Sequence, residues 1–288
     1  MRWSKKRTME YPKIFDIKDQ HAWPGISAYY RDNGHVVIDS GLEQASISAL
    51  ADDLDIWFKE DNFPSNDYAM KDRNRIQDAW RFDRRIRSAA TDKRILKLLN
   101  FLYDGAVAKP FQTLNFRNGT QQPVHSDSIH FNSEPFGMMC GVWLALEDIG
   151  EDQGPLVYYP GSQKYPEMNF EELGLKAKGG DFKEYSQAIR HFIEEERLQP
   201  AYAHLKKGQA LIWSANLLHG GSMRNSDKTR LSQVTHYYFE GCKYWRPSQS
   251  VTQRVYFEPE WISLKEPNRL NIKMHRMFQR VKRLFSGL

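Results

Sequence analysis

Short strand-like runs in the second half of the chain predict a mainly β protein with flanking helices, its core a sandwich, barrel or jelly roll. Two further observations support this class. Helical periodicity is concentrated in the first hundred residues, and the later strands are separated by Gly, Pro, Asn and Asp turns rather than by the helices of βαβ units.

The elements follow in order. "YYRDNGHVVIDSGL" (29–42) reads as a polar turn, a short β-branched strand and a second turn. From Glu43 to Phe58, Ile47, Leu50, Ala51, Leu54 and Phe58 recur at helical spacing, and from Asp92 to Tyr103 so do Ile95, Leu98, Leu99 and Leu102. After Pro110 come the strand runs "FQTLNF" (111–116), "CGVWLAL" (140–146), "GPLVYYPGS" (154–162), "GQALIW" (208–213) and "LSQVTHYYF" (231–239). An insertion at 163–207 interrupts them and holds a predicted helix from Asp181 to Leu198; an excursion of that length between strands suggests a lid. Three regions result: a basic, irregular segment at 1–28, one domain at 29–262 (helical 43–103, β core 111–239), and a basic amphipathic helix within 263–288.

Composition narrows the function classes. The chain has 288 residues, 40% of them apolar, enough to bury a core without covalent staples. Cys140 and Cys242 are too few for a disulfide framework and lack zinc-site spacing, which suits the cytoplasm. No signal-peptide pattern and no membrane-length apolar run occurs. The net charge of +5 belongs to the ends, leaving residues 8–264 net acidic, so no nucleic-acid face is expected on the central domain. On the C-terminal helix, Leu270, Met274, Met277, Phe278, Val281 and Leu284 form one stripe flanked by Lys and Arg. That pattern fits peripheral contact with an anionic membrane or a partner, or simple packing on its own domain.

The chemistry starts at "PVHSDSIHF" (123–131). On a strand, His125 and Asp127 would share one face and present two of the three ligands of a 2-His-1-carboxylate site, the arrangement that binds Fe(II). His219, followed by two glycines that permit close backbone packing, is the candidate third ligand. Arg230 carries a fork suited to a carboxylate, and Ser232 and Val234 share its strand face, so the Ser232 hydroxyl could join it. His130 has the opposite parity and is expected outside the ligand set. His130, Phe131, Tyr158 and Tyr159 are candidates to line a pocket, with core packing as the alternative, and Lys206 and Lys207 read as an anion contact or a solvated turn.

Together, "YYRDNGHVVID", "HSD", "GVWLALEDIGEDQGPLVYYPGSQK" and "LLHGGSMRNSDKTRLS" resemble the phytanoyl-CoA dioxygenase family of Fe(II)/2-oxoglutarate oxygenases over about residues 29–239. The resemblance implies a double-stranded β-helix, cupin-like core, with iron on His125, Asp127 and His219 and the far carboxylate of 2-oxoglutarate on Arg230. It also implies cosubstrate positions at Trp143 and Thr113. A family lysine has no clear match, and Gln112, Arg73 or Arg75 stand as substitutes. In halogenating relatives a small residue replaces the carboxylate, so Asp127 favours hydroxylation, or another oxidation such as desaturation, over halogenation.

The expected function is therefore an Fe(II)-, 2-oxoglutarate- and O2-dependent dioxygenase, monomeric or dimeric, that hydroxylates a small molecule or carrier-linked metabolite. Two alternatives stand beside it: a catalytically silent β-helix binding module, and a cupin-type metal enzyme that does not use 2-oxoglutarate. The first leaves the retained ligands without purpose, and the second leaves Arg230 unexplained.

Overall fold

The structure, a computed structural model, describes residues 12–59, 70–71, 74–175, 182–250 and 253–265. The predicted C-terminal helix, residues 1–11 of the basic segment, Arg73 and the start of the predicted helix at Asp181 lie outside them.

In chain order the strands are β1 (Ile14–Asp16), β2 (His35–Asp39), β3 (Met70–Lys71), β4 (Arg75–Gln77), β5 (Ala108–Phe116), β6 (Asn132–Glu134) and β7 (Met139–Ala145). They continue as β8 (Leu156–Tyr158), β9 (Ala201–Ala203), β10 (Gln209–Ser214), β11 (His219–Gly221), β12 (Ser232–Phe239) and β13 (Lys243–Trp245). The helices are α1 (Trp23–Asn33), α2 (Gln44–Lys59), α3 (Arg84–Ala90), α4 (Lys93–Leu102) and α5 (Lys183–Glu195).

Eight strands form a major sheet in the order β1-β2-β10-β7-β12-β5-β4-β3, opposed by a minor sheet β11-β8-β9. This is the jelly-roll arrangement. Alternation along each strand divides the major sheet into two faces. Val36, Ile38, Val142, Leu144, Ile212 and Tyr237 point outward and form one apolar cluster with helices α1 to α4. Val37, Trp143, Leu211, Trp213 and Val234 point inward and pack on Leu156 and Tyr158 of β8. The helices form where the apolar stripes predict them, and acidic caps start two of them: Asp83 accepts from the backbone of Arg85 and Ile86, and Asp92 from that of Arg94 and Ile95.

Three expectations need correction. Residues 14–28 are not irregular, because Ile14–Asp16 adds to β2 as a parallel edge strand and Trp23 opens α1. Tyr29 to Arg31 are therefore helical, not a turn; Trp23-Pro24 starts this helix, and its apolar side is too short to stand out as a stripe. The insertion at 163–207 is not a simple lid. It contributes β9 to the minor sheet, and α5 packs through Tyr185 and Ile189 against Ile129, Met168 and Leu218.

The inner face is tightly packed where β7 meets β10. Gly141 pairs with Trp213, and a β-carbon on Gly141 would overlap the indole ring. Gly141→Ala is expected to cost about 1–3 kcal/mol through overpacking, measured as a lower midpoint in urea denaturation.

Candidate metal centre

His125 and His219 are ninety-four positions apart in sequence, yet a reciprocal pair of backbone hydrogen bonds joins them, N to O at 2.9 Å in each direction. Gly220 and Gly221 make this approach feasible, since a β-carbon on either would press on the backbone of residues 121–124 at 2.8–3.1 Å. Each imidazole is oriented by its Nδ1, which donates at 2.9 Å to a carbonyl two residues earlier, Pro123 for His125 and Leu217 for His219. Both Nε2 atoms therefore turn to the same point. The Gln122 amide also approaches His125 Nε2, at 3.4 Å.

Asp127 does not reach that point by strand alternation, which corrects the reading of "HSD". Ser126 caps a short 3-10 turn, Asp127–Ile129, by accepting from Ser128 N, and Asp127 is its first residue. The turn is braced from behind: Ser126 N donates to Tyr185 Oη at 3.0 Å, and Ser126 Oγ bonds Ala215 O at 3.0 Å. Among the described residues the insertion thus supports the metal-facing turn from outside the cavity and lines none of it.

The carboxylate bridges the two sides of the roll. Its Oδ1 lies 3.6 Å from His125 Nε2 and 3.7 Å from His219 Nε2. Its Oδ2 accepts from the Trp213 indole at 2.8 Å and lies 3.7 Å from His236 Nε2. One ligand atom from each of His125, Asp127 and His219 falls within 4.8 Å of the others, all three side chains being buried. Two imidazole nitrogens and one carboxylate oxygen fit a divalent first-row metal with positions left open for other ligands.

Charge states suit ligation. Burial alone would raise the Asp127 carboxyl, yet the electrostatic surroundings set by His219, His125 and His236 outweigh it and hold the carboxyl well below the usual range. Burial pulls His219 down to about 4 and His130 likewise to about 4, and it also lowers His236. At neutral pH the site presents an ionised Asp127 beside a neutral His219, the forms that bind metal.

The triad opens into a cavity of about 260 Å³. Arg230 lines it, only 4% exposed, with Nη1 donating to Gly154 O at 2.6 Å and Nε buried without a hydrogen-bond partner. Burial lowers its guanidinium to about 10, so it remains charged at neutral pH. Trp143 lies beside it, the ring centroid 5.3 Å from Arg230 Cζ, and Phe116 lies at 5.8 Å.

Other candidates divide by strand face. Gln112 and Leu114 of β5 line the cavity, so Thr113 between them points to the helical face; its hydroxyl is buried there, away from the site. Ser232 is buried with Oγ donating to Arg230 O and is not in the cavity wall. Arg75 lines the cavity. His130 and Phe131 reach it too, whereas Tyr158 packs on His35 and Tyr159 joins the α5 cluster. His130 arrives because the 3-10 turn breaks the strand parity that would have sent it away. Lys206 pairs with Asp148 in a surface turn and Lys207 Nζ bonds Ser48, neither in the cavity.

Sequence reasoning missed Trp213 and His236. His236 was accessible to the parity rule, being two steps beyond Ser232 and Val234 on the same face as Arg230. Trp213 reads from sequence as an ordinary core aromatic.

The fold and the site together define a jelly-roll protein with a buried 2-His-1-carboxylate cluster that could hold one metal ion. The model of the Phytanoyl-CoA dioxygenase (PhyH) family matches residues 30–232, and the chain belongs to that family. It is 22% identical to human peroxisomal phytanoyl-CoA dioxygenase over 283 residues (87% of this chain, 79% of that one). The rat enzyme is 23% identical over 237 residues, covering 75% of this chain and 68% of that protein. Among solved structures, the non-heme alpha-ketoglutarate-dependent carbocyclase SnoK from nogalamycin biosynthesis superposes with a TM-score of 0.65 at 16% identity, covering 83% and 96% of the two chains. EctD from S. alaskensis gives 0.62 at 15% identity, covering 84% of each.

Trp213→Phe keeps most of the packing and removes the bond to Asp127 Oδ2; metal affinity is expected to fall about 10–100-fold, read by Co(II) titration, with little change in thermal midpoint. Acid should weaken the metal-free fold. His219 and His130 sit near 4 when folded against 6.5 in an unfolded chain, so between those values the unfolded state binds more protons. Stability present above pH 6.5 is therefore lost as pH falls toward 4, by up to about 3 kcal/mol per group; denaturant midpoints at pH 7.5, 6, 5 and 4.5 check it.

Proposed function

We propose that the protein is an Fe(II)- and 2-oxoglutarate-dependent dioxygenase that hydroxylates an aliphatic carbon of a small molecule or carrier-linked metabolite. The observation that carries this reading is the presence, in one cavity, of the His125, Asp127 and His219 donor set and a buried, charged Arg230 whose Nε lacks a hydrogen-bond partner. A metal satisfies the first and a carboxylate the second.

When bound, Fe(II) with 2-oxoglutarate and O2 supplies the oxidising chemistry, consuming the cosubstrate to succinate and CO2. The protein's part is to orient and exclude. His125 and His219, held through Nδ1, offer their Nε2 lone pairs, and Trp213 keeps the Asp127 carboxylate turned so that Oδ1 faces them. Arg230 forks onto the far carboxylate of 2-oxoglutarate, its charge strengthened by a low-dielectric surround of Trp143 and Phe116. Gln112 or Arg75 takes the place of the family lysine. Leu114 and Val234 keep that part of the wall apolar and limit water.

Hydroxylation is favoured over halogenation because Asp127 fills the position a halide ligand would need. The related structures include proteins named as an epimerase and a carbocyclase, so the outcome depends on which substrate carbon faces the centre. Among the described residues no helix is long and apolar enough to cross a membrane, and Cys140 and Cys242 are free thiols; the cytoplasm is the compartment we assign.

Purified protein given Fe(II) and ascorbate is expected to convert 2-oxoglutarate to succinate slowly without a prime substrate, and His125→Ala to abolish that turnover. Absence of both Fe(II) and 2-oxoglutarate binding would favour the silent-module reading. Arg230→Ala should raise the KM for 2-oxoglutarate at least about tenfold, the worth of a charge-assisted pair, with Arg230→Lys intermediate; unchanged turnover in Arg230→Ala would favour a metal enzyme that does not use 2-oxoglutarate.

A further inference from the structure

The α5 part of the insertion shares its core with the turns that carry the metal ligands. Met168, Phe170, Tyr185 and Ile189 of the insertion form one buried apolar cluster with Ile129 and Leu218. Ile129 comes two residues after Asp127, and Leu218 immediately precedes His219. Each side therefore supplies the packing of the other.

Polar links cross the same contact. Tyr185 Oη, buried, accepts from Ser126 N at 3.0 Å and donates to Met168 O at 2.9 Å. Asn216 is buried as well; its Oδ1 accepts from Met168 N at 3.1 Å and lies 3.2 Å from Ser126 Oγ, while its Nδ2 donates to Tyr165 O at 3.0 Å and Pro166 O at 3.2 Å. The Met168 backbone is thus held at its N–H by Asn216 and at its C=O by Tyr185. Both holders also meet Ser126, the cap of the turn that presents Asp127. The other ligand is reached from the same stretch: Leu217, next to Asn216, provides the carbonyl for His219 Nδ1, and Leu218 N donates at 2.9 Å to Ser162 Oγ, just before the insertion.

We propose that Tyr185 is a positioning residue for Asp127 and couples the insertion to the metal centre, so that filling the centre steadies α5 and loosening α5 weakens the centre. This rests on the metal-binding part of the reading above and goes beyond it. If α5 moves off, Ser126 N–H loses its acceptor, and Ile129 and Leu218 lose their cover at the same time; the Asp127 turn is then free to shift. A bound metal requires the carboxylate and both imidazoles at fixed separations, which restrains that turn from the inside. Such coupling is reciprocal: the factor by which metal stabilises α5 is the factor by which α5 packing tightens metal binding. A partner that shifted α5 would therefore change metal affinity without entering the cavity.

The full-length protein is first titrated with Co(II), followed by its visible absorption bands. Failure to take up Co(II) would sink the metal reading and this inference with it. Amide hydrogen exchange with and without saturating Co(II) then reads the coupling. We expect Co(II) to slow exchange of the α5 amides at least about fivefold in the wild type. In Y185F, which keeps the ring and loses both hydrogen bonds, the slowing should fall below about twofold, Co(II) should bind about 2–10-fold more weakly, and its bands should shift. The control is I95V, which removes one carbon from the α4 side of the helical cluster and destabilises the domain by a comparable amount; it should keep the wild-type bands and the slowing of α5. Unchanged α5 exchange in wild type that has bound Co(II), full slowing retained in Y185F, or an equal loss in I95V would each overturn the coupling. The first of these outcomes needs no variant to fold.

Discussion

The site depends on the two backbone hydrogen bonds that join His125 to His219. They close the loop after Gln122 onto the first strand of the minor sheet, and in doing so bring two imidazoles from distant parts of the chain to one point. The following Gly220 and Gly221 are part of the same constraint, because bulk at either would push the two backbones apart. Asp127 then ties this pair to the opposite sheet, one oxygen facing the histidines and the other held by Trp213 of β10.

A pair of imidazoles, a carboxylate and a guanidinium buried together is costly unless each is compensated. His219 meets that cost by staying neutral, and Nδ1 of both His125 and His219 is satisfied by a backbone carbonyl. The carboxylate stays ionised because donors and partial charges converge on it. Arg230 has one carbonyl acceptor and a partnerless Nε, so its charge is only partly compensated within the protein. The rigid core strands carry this tension, and the α5 insertion reinforces the turn at Asp127 through Tyr185.

Much of this was legible locally. The strands at 111–116, 140–146, 208–213 and 231–239 and the helices at 43–58 and 92–103 follow from apolar spacing and turn residues, which act over a few positions. The four residues His125, Asp127, His219 and Arg230 were legible as a pattern, and they meet in one cavity. Failures arose where tertiary contacts override local periodicity. A three-residue parallel edge strand at Ile14–Asp16 has no local signal, and the 3-10 turn at Asp127 replaces strand parity, which brings His130 into the wall. Thr113 was placed by resemblance, but the pairing of β5 turns Gln112 and Leu114 inward instead.

The sequence by itself determined the strand-rich class, the spacing of His125, Asp127 and His219, and the presence of a carboxylate at position 127. Those are properties of residue type and order, which short-range sterics and side-chain chemistry express wherever the chain goes. Only the tertiary structure decided which face of each strand looks inward, that Trp213 donates to the second oxygen of Asp127 with His236 beside it, and that the insertion braces the centre from outside. Sheet register and the stacking of one sheet on the other set these relations, and both depend on pairing between segments tens of residues apart.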